Sequence, residues 1–180
     1  MDKNKGSYVV STFAGIGKSF FAKKYSSLAI DLEAIPFRHT FVAPDHTQRL
    51  QEGDFELLKG LVKQVSPEFP NNYVKEIITQ LGRFPLILIV LSLETLVELD
   101  TLGIKYSIIY PELSMKNEIL DRMRERGNNE EFISKINKTL SSKKEIRAIH
   151  ERLNPEKLII AKKGEYLEKI LKNEYPELFM

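Results

Sequence analysis

The stretch STFAGIGKS, residues 11–19, combines two glycines, a lysine and a serine directly after a short β-branched run. Gly15 and Gly17 allow backbone conformations that a Cβ disfavours, so that successive N–H groups can point at the oxygens of one phosphate. Lys18 then brings an ammonium group to the outer phosphates of a nucleotide, and the Ser19 hydroxyl is a ligand for Mg²⁺. The order of strand, glycine-bearing turn, Gly-Lys-Ser and helix predicts a phosphate-binding loop.

The loop departs at one position from the full pattern GxxxxGK[ST], because Thr12 stands where the first glycine is expected. That glycine mainly serves the tight turn that leaves the strand, and the Gly-Lys-Ser end of the pattern is intact. The alternative is a glycine turn between a strand and a helix whose lysine has no phosphate to bind. The predicted cofactor-binding residues are Phe13, Ala14, Gly15, Ile16, Gly17, Lys18, Ser19 and Phe20.

Two carboxylates, Asp31 and Glu33, come directly after the apolar run 28–30. Alternate residues leaving a strand can point to the same side, which here is the side of the phosphate-binding loop. An acidic group at this place can orient or deprotonate an acceptor hydroxyl, or hold Mg²⁺ through water. We therefore predict that Asp31 is a catalytic and metal-binding residue. The alternative, above all for Glu33, is a solvated pair of loop carboxylates.

Three arginines fall within five residues of a predicted helix, although the whole chain has only eight. Arg122 and Arg126 are four residues apart and share one helix face, while Arg124 lies on another. Guanidinium groups match phosphate oxygens and stabilise the charge of a transferring phosphoryl group. The alternative is a solvated helix face on which Asp121 and Glu125 are the local partners.

The end of the central apolar run, residues 85–91, lacks the acid that many phosphate-loop proteins carry there. Ser92 is the only polar residue at this place, and Glu94 belongs to the helix that follows. This absence disfavours a switch GTPase or a motor ATPase and is more typical of a small kinase, in which Asp31 takes over part of the metal binding. The predicted catalytic residues are Lys18, Asp31, Arg122 and Arg126, and the predicted metal ligands are Ser19 and Asp31.

The elements that position these residues alternate between strand and helix, which predicts an α/β fold with a parallel, doubly wound sheet. In such sheets ligands bind beyond the carboxyl ends of the strands. Helices are predicted over 92–102 and 116–126, with Gly103 and Gly127 as their stops. The predicted strands are Tyr8–Val10, Leu28–Ile30, Leu86–Leu91, Tyr106–Tyr110 and Lys157–Ile160.

The segment between the second and third strands, residues 32–84, is far longer than the dozen or so residues that a crossover needs. Two helices are predicted within it, about 47–65 and 71–81. We expect the excess to build an acceptor pocket over the sheet edge. Extra helical packing is the alternative.

The composition is that of an ordinary globular domain, and one domain spanning residues 1–180 is predicted. Hydrophobic residues make up 42% and charged residues 29%, and the net charge of +2 gives no argument for nucleic acid or a membrane as partner. The absence of cysteine excludes disulfides and thiolate metal sites. With no predicted signal or membrane span, the expected location is the cytoplasm.

In these features the chain resembles the P-loop small-molecule kinases, and above all small phage- and bacteria-type proteins of the nucleoside- and nucleotide-kinase kind. The matching stretches run in order along nearly the whole chain, although only the phosphate-binding loop is specific by itself. They are FAGIGKS at 13–19, Ile30–Glu33, PEFPNNY at 67–73, Ile109–Pro111, Lys116 with 122–127, and 164–167.

The resemblance implies a three-layer P-loop kinase-like fold with a five-stranded parallel sheet, a helical insertion after strand two (32–84) and an arginine-bearing lid (about 112–150). It also implies ATP and Mg²⁺ as cofactors. The family pattern has a more polar turn, with serine and histidine, where this chain has residues 91–94. By analogy Gly15, Gly17, Lys18 and Ser19 bind phosphates and metal, Asp31 contacts the acceptor or Mg²⁺, and Arg122 and Arg126 are lid arginines.

The leading hypothesis is an enzyme that transfers the γ-phosphate of Mg-ATP to a small acceptor, a nucleoside or nucleotide. Its partners would be a nucleoside triphosphate and a small molecule. One alternative is a nucleotide-binding regulatory or ATPase module without a phosphoryl acceptor. Another is a polynucleotide-end kinase, against which the near-neutral charge argues because tracking a phosphate backbone requires a basic surface. The sequence leaves the acceptor, the preference between ATP and GTP, and the oligomeric state open.

Overall fold

The structure is a computed structural model that describes residues 2–41 and 63–180, with Phe41 and Lys63 described by their backbone alone. Its strands are β1 (Tyr8–Thr12), β2 (Ala29–Leu32), β3 (His39–Phe41), β4 (Lys63–Val65), β5 (Leu86–Val90), β6 (Ser107–Pro111) and β7 (Lys157–Ala161). Its α-helices are α1 (Lys18–Lys24), α2 (Ile35–Arg38), α3 (Asn71–Gln80), α4 (Leu93–Leu102), α5 (Lys116–Glu125), α6 (Glu130–Ser142), α7 (Lys144–Arg152) and α8 (Leu167–Glu174).

Five strands form one parallel sheet in the order β2-β5-β1-β6-β7. All five strands of this sheet were predicted from the sequence, within a few residues of their observed bounds. The register pairs Thr12, the last residue of β1, with Val90 of β5 and with Ile109 of β6. The carboxyl ends of the three central strands therefore meet at one edge, which is the edge where parallel sheets bind ligands.

Burial follows position in the sheet. Strand β5 lies between β2 and β1, and its residues Leu86 to Ile89 are completely buried, as a continuous apolar run predicts for a strand covered on both faces. Strand β7 lies at an edge and is partly exposed, with 42% of Ile160 open to solvent. The apolar core thus holds β1 and β5 rigidly and fixes the loops that follow them.

Helices contact one another around this sheet, as is compatible with a three-layer α/β arrangement. Helix α1 contacts β2 and α8, while α4 contacts both α3 and α7. The helix predicted over 92–102 is confirmed as α4, with Ser92 as its N-cap and Gly103 in the left-handed region as its C-cap. The helix predicted over 116–126 is confirmed as α5. Among residues 2–41 and 63–180, none of the helices has the length and apolar character needed to cross a bilayer.

The segment 32–84 departs in part from the prediction. Its second helix, about 71–81, is confirmed as α3, but residues 63–65 form strand β4 and not the end of a helix. The rest of the helix predicted over 47–65 lies outside the described residues. Strand β4 exists because it pairs antiparallel with β3, with Val65 opposite His39. Local periodicity does not reveal such a pairing, since the partner strand is more than twenty residues away in the sequence.

Candidate functional site

The loop that follows β1 is anchored on both sides by the neighbouring strands. The amide of Phe13 donates to the carbonyl oxygen of Ile109 at 3.1 Å, and the amide of Leu91 donates to the carbonyl oxygen of Thr12 at 3.0 Å. Thr12, which replaces the usual glycine, still belongs to β1 with its side chain fully buried. The strand thus continues through this position, and the turn begins after it.

The two glycines of the loop have backbone conformations that other residues rarely adopt. Gly15 has φ of +85° and Gly17 has φ of +110°. A Cβ on Gly15 would also lie 3.2 Å from Cγ2 of Ile119 on α5, so that position serves a close approach of helix and loop. A Cβ on Gly17 would meet nothing within 4 Å, so only its backbone conformation requires glycine.

The amides of this loop are available as donors. Within the part of the chain that the structure describes, none of the backbone N–H groups of residues 14–20 donates a hydrogen bond to a protein acceptor. The first bonded amide is that of Phe21, which donates to the carbonyl oxygen of Gly17 at 3.0 Å. Successive amides that make no hydrogen bond within the protein, at a glycine turn, can bind an anion with several oxygens, such as phosphate.

Lys18 joins this loop to the two carboxylates after the apolar run of β2. Its Nζ donates to Oδ1 of Asp31 at 2.5 Å and to Oε1 of Glu33 at 3.3 Å. Lys18 is only 9% exposed. The expectation that both carboxylates face the same side, toward the loop, therefore agrees with the geometry. Asp31 lies within β2 and not after it, because the strand runs on to Leu32.

Tyr73, which the sequence analysis did not single out as a site residue, holds this end of β2 in place. Its ring is fully buried on α3, and its hydroxyl donates to the carbonyl oxygen of Leu32 at 2.5 Å. Burial strongly raises the pKa of Tyr73, and the nearby negative charges of Glu33 and Asp31 add to the shift. The hydroxyl therefore stays a neutral donor. A lone tyrosine in an amphipathic helix carries no sequence signal for this role.

The hydroxyl and aromatic residues at the start of α1 are open to solvent. Ser19 is exposed in the first turn, directly after Lys18, and the Phe20 ring is 69% exposed. The exposed Phe20 ring therefore lies beside the loop amides and is open to contact with a ligand. Its neighbour Phe21 is buried and contacts the ring of Tyr25 at 4.7 Å between centroids.

The three arginines in the last turn of α5 and at its C-cap, Arg126, have different surroundings. Arg122 donates to the carbonyl oxygen of Gly15 at 3.1 Å, forms an ion pair with Glu118, and lies over the ring of Tyr166 at 4.2 Å. It is an anchor between α5 and the loop. Arg126 is exposed and lines the cavity beside the loop. Arg124 points elsewhere and pairs with Asp121 at 2.8 Å.

That cavity has a volume of about 840 Å³ and lies between the loop, the beginning of α1, the end of α5 and the length of α8. We call it the loop cavity. Its lining combines exposed aromatic rings, Phe20 and the 59%-exposed Tyr166, with the guanidinium groups of Arg122 and Arg126. Flat rings and guanidinium planes are surfaces on which a nucleobase stacks.

The turn after β5 is closed by its own hydrogen bonds. Ser92 donates to Oε2 of Glu94 at 2.8 Å, and Thr95 donates to Oγ of Ser92 at 3.2 Å. The pKa of Glu94 is lowered. Burial by itself would raise this pKa, but hydrogen bonds from the Glu94 backbone and from Ser92, together with the charge of Arg38, outweigh burial. Glu94 therefore turns back to the strand end and is ionised there. Its backbone lies in α4, as the sequence predicts, but no local pattern in the sequence predicts its contact with Ser92.

The oxygen atoms near the loop could serve as magnesium ligands, but they are too few to hold the ion without phosphates. The described residues contain no group of three or more His, Cys, Asp or Glu that could hold a metal by itself. Ser19 and Asp31 supply a hydroxyl and a carboxylate, which are the hard oxygen ligands that Mg²⁺ prefers, and Mg²⁺ commonly takes its other ligands from substrate phosphates and water.

A half-buried carboxyl, that of Glu145 on α7, lies against the Tyr110 hydroxyl at the end of β6. Burial raises the pKa of Glu145, and burial raises the pKa of Tyr110 as well. The Glu145 carboxyl and the Tyr110 hydroxyl interact with each other through a side-chain hydrogen bond. Lys135 on α6 partly offsets the cost of the negative charge.

We expect Glu145→Gln to stabilise the protein at pH 8 and to leave it unchanged near pH 4. A raised pKa in the folded state means that stability is lost as pH rises through that pKa, and glutamine does not titrate. Because Glu145 is partly open to solvent, the gain is about 1 kcal/mol or less. Thermal melting of both proteins across this pH range measures it. A variant that is equally or less stable at pH 8 would contradict the expected cost of the buried charge.

Comparisons with known proteins do not identify the chain. No protein-family model matches it, and no curated protein sequence does. Among solved structures, one similar chain is described as an uncharacterized protein from Eubacterium ventriosum ATCC 27560. The two share 12% sequence identity with a TM-score of 0.43, over 96% of this chain and 98% of that one. A likeness this weak assigns no function.

Proposed function

We propose that this protein is a phosphotransferase that moves the γ-phosphate of Mg-ATP to a small acceptor, a nucleoside or nucleotide. One observation carries the proposal. The buried ammonium group of Lys18 follows a loop whose amides donate to no protein acceptor, and it contacts the carboxylates of Asp31 and Glu33. The Lys18 side chain thus lies between amides that can bind a triphosphate and carboxylates that can contact an acceptor.

Binding of the nucleotide follows from the two parts of the site. The triphosphate occupies the loop, where the amides of residues 14–20 and the ammonium of Lys18 neutralise its oxygens. The base occupies the loop cavity, against Phe20 and Tyr166, whose rings are already exposed. The cavity volume of about 840 Å³ lies within the range of sites for molecules of this size.

Transfer then requires mainly positioning and charge neutralisation. A bond forms between the γ-phosphorus and the acceptor oxygen, and the bond to the oxygen that bridges the β- and γ-phosphates breaks, so that ADP leaves. When the acceptor group is a hydroxyl, its proton passes to a carboxylate of the Asp31 and Glu33 pair. Mg²⁺, held by Ser19 and Asp31 together with the phosphates, would supply further neutralisation of the phosphate charge.

The proposal is tested by two measurements on the same protein. Calorimetric titration with Mg-ATP measures binding, and chromatography of a reaction with a panel of nucleosides and nucleoside monophosphates measures transfer. Binding with transfer supports the proposal. Absence of nucleotide binding would overturn it, because the loop would then have no phosphate to hold.

A nucleotide-binding module without an acceptor is the second candidate. It is favoured by the turn after β5, where the Glu94 carboxylate accepts from Ser92 and pairs with Arg38 at 3.7 Å. This candidate predicts Mg-ATP binding without transfer to any member of the acceptor panel. The same two measurements therefore separate it from the leading proposal.

The arginines of α5 give a prediction that separates anchoring from phosphate binding. Arg122→Ala removes the bond to Gly15 and the contact with Tyr166, and we expect it to lower the free energy of unfolding by about 2 kcal/mol. Arg126→Ala should leave stability within about 0.5 kcal/mol of the wild type but slow transfer about tenfold, because an exposed guanidinium at the cavity is free to contact phosphate. Denaturant unfolding and the transfer assay measure the two effects.

Arg124→Ala is the matched control, since it removes an arginine of the same helix that is exposed and points elsewhere. It should change neither quantity. The assignment of roles would be wrong if Arg126→Ala and Arg124→Ala had the same transfer rate, or if Arg122→Ala left stability unchanged.

A further inference from the structure

Two carbonyl groups of the loop after β1 are held from outside by helices that lie far away in the sequence. The carbonyl oxygen of Gly15 accepts from Nη1 of Arg122 on α5 at 3.1 Å. The carbonyl oxygen of Ile16 accepts from the amide of Leu167, the first residue of α8, at 3.4 Å. Helices α5 and α8 therefore hold two successive peptide units of the loop.

These two bonds fix the direction of the amides that follow. The carbonyl of one residue and the amide of the next belong to one planar trans peptide unit, in which they point in opposite directions. The amides of Ile16 and Gly17 therefore point away from the groups that hold the carbonyls of Gly15 and Ile16. Neither amide donates to a protein acceptor within residues 2–41 and 63–180. Both are thus oriented and available before a ligand binds.

Arg122 is itself held by Glu118, one turn earlier on α5. Oε1 of Glu118 pairs with the Arg122 guanidinium, and Oε2 of Glu118 accepts from the amide of Gly164 at 3.2 Å. Gly164 lies in the turn that precedes α8, so Glu118 joins α5 to the beginning of α8. The side chains of Arg122 and Glu118 are only 14% and 24% exposed, and water therefore screens this ion pair less than a surface pair.

We propose that Glu118 is a positioning residue for phosphate binding. Because it holds the Arg122 guanidinium and the turn at Gly164 at once, it keeps α5 and α8 against the loop and the amides of Ile16 and Gly17 turned toward a phosphate. Donors that are already oriented bind more tightly, since the ligand does not have to order them. The inference rests on the proposed function for the presence of a phosphate in the loop.

The contacts of Arg122 make this role different from direct phosphate binding. Its guanidinium already bonds to the Gly15 carbonyl and to Glu118, and it lies over the ring of Tyr166 at 4.2 Å. It would have to leave these partners to reach a phosphate. Loss of Glu118 therefore weakens phosphate binding if Arg122 holds the loop, and strengthens it if Glu118 merely keeps Arg122 away from the phosphate.

The test measures binding of inorganic tripolyphosphate with Mg²⁺, a probe that suits the loop and has no base. Calorimetric titration compares the wild type with Glu118→Ala and Glu118→Gln, of which the second keeps the side-chain length and one acceptor oxygen. Asp121→Ala is the matched control, because it removes another acid of α5 from its ion pair with an arginine, Arg124, that points elsewhere. Thermal melting identifies a temperature at which every variant is folded.

We expect Glu118→Ala to weaken tripolyphosphate binding about tenfold, Glu118→Gln about threefold, and Asp121→Ala less than about twofold. In the ligand-free protein, Glu118→Ala should also shift or broaden the NMR signals of the Ile16 and Gly17 amides, and Asp121→Ala should not. Binding by Glu118→Ala that equals or exceeds that of the wild type would overturn the inference, and so would unchanged amide signals. If the alanine variant does not fold, wild-type affinity and wild-type signals in Glu118→Gln overturn it instead.

Lys18→Ala, titrated in the same way, keeps the two proposals apart. If the wild type binds tripolyphosphate, Lys18→Ala does not, and Glu118→Ala binds like the wild type, the loop holds phosphate and only the inference about Glu118 is wrong. If the wild type binds neither tripolyphosphate nor Mg-ATP, the proposed function is wrong and the inference fails with it.

Discussion

Lys18→Ala is expected to slow phosphoryl transfer from Mg-ATP about a thousandfold. The substitution removes the only ammonium that the structure places between the loop and the carboxylates of Asp31 and Glu33, within the described residues. Without the Lys18 ammonium, the negative charge that develops on the transferred phosphoryl group would be repelled by the carboxylates of Asp31 and Glu33. The rate is measured with saturating acceptor, and Mg-ATP affinity is titrated in parallel.

Stability must be measured beside activity, because Lys18 and Asp31 are both nearly buried, at 9% and 10% exposure. Removing one partner of a buried ion pair leaves the other unpaired, and we expect a loss of about 1–3 kcal/mol in the free energy of unfolding. Lys23→Ala is the control, since Lys23 is an exposed lysine of the same helix. A folded Lys18→Ala protein with the wild-type rate would contradict the proposed function.

Gly17→Ala is expected to weaken Mg-ATP binding about a hundredfold while the fold persists. No atom lies within 4 Å of the added Cβ, so the effect comes from the backbone, whose φ of +110° is strained for any L side chain. Strain of this kind is about 1–3 kcal/mol, and relieving it would turn the neighbouring amides away from the phosphate. Calorimetric titration with Mg-ATP measures the change in affinity.

Gly6→Ala is the matched control for backbone strain. Gly6 has φ of +82°, and an added Cβ would also meet nothing within 4 Å, but Gly6 precedes β1 and does not line the loop cavity. Both variants should lose similar stability in denaturant unfolding, and only Gly17→Ala should lose nucleotide affinity. Equal Mg-ATP affinity in the two variants would show that the loop does not use its amides to hold phosphate.

The parallel sheet could be predicted from the sequence because its signals are local. The unbroken apolar run that became β5 indicates a strand buried on both faces, and Gly103 and Gly127 mark the ends of α4 and α5. Strands β3 and β4 could not be predicted, since each has only three residues and is defined by pairing with the other. Helices α6, α7 and α8 were not identified from the sequence.

In the candidate site, too, local patterns could be predicted from the sequence and contacts between distant residues could not. Alternation along β2 predicts that Asp31 and Glu33 face one side, and the structure brings both to Lys18. Spacing on α5 predicts that Arg122 and Arg126 share a face, but it gave no sign that the carbonyl of Gly15 and the ring of Tyr166 hold the first of them.

The sequence by itself determined the glycine-bearing loop after β1, the strands around it and the residue types beside it, because glycine conformations and side-chain alternation are properties of neighbouring residues. Only the tertiary structure decided which arginine is an anchor, where the loop cavity lies, and that Tyr73 holds the end of β2. Each of these depends on contacts between residues far apart in the chain, which are set by how helices pack on the sheet.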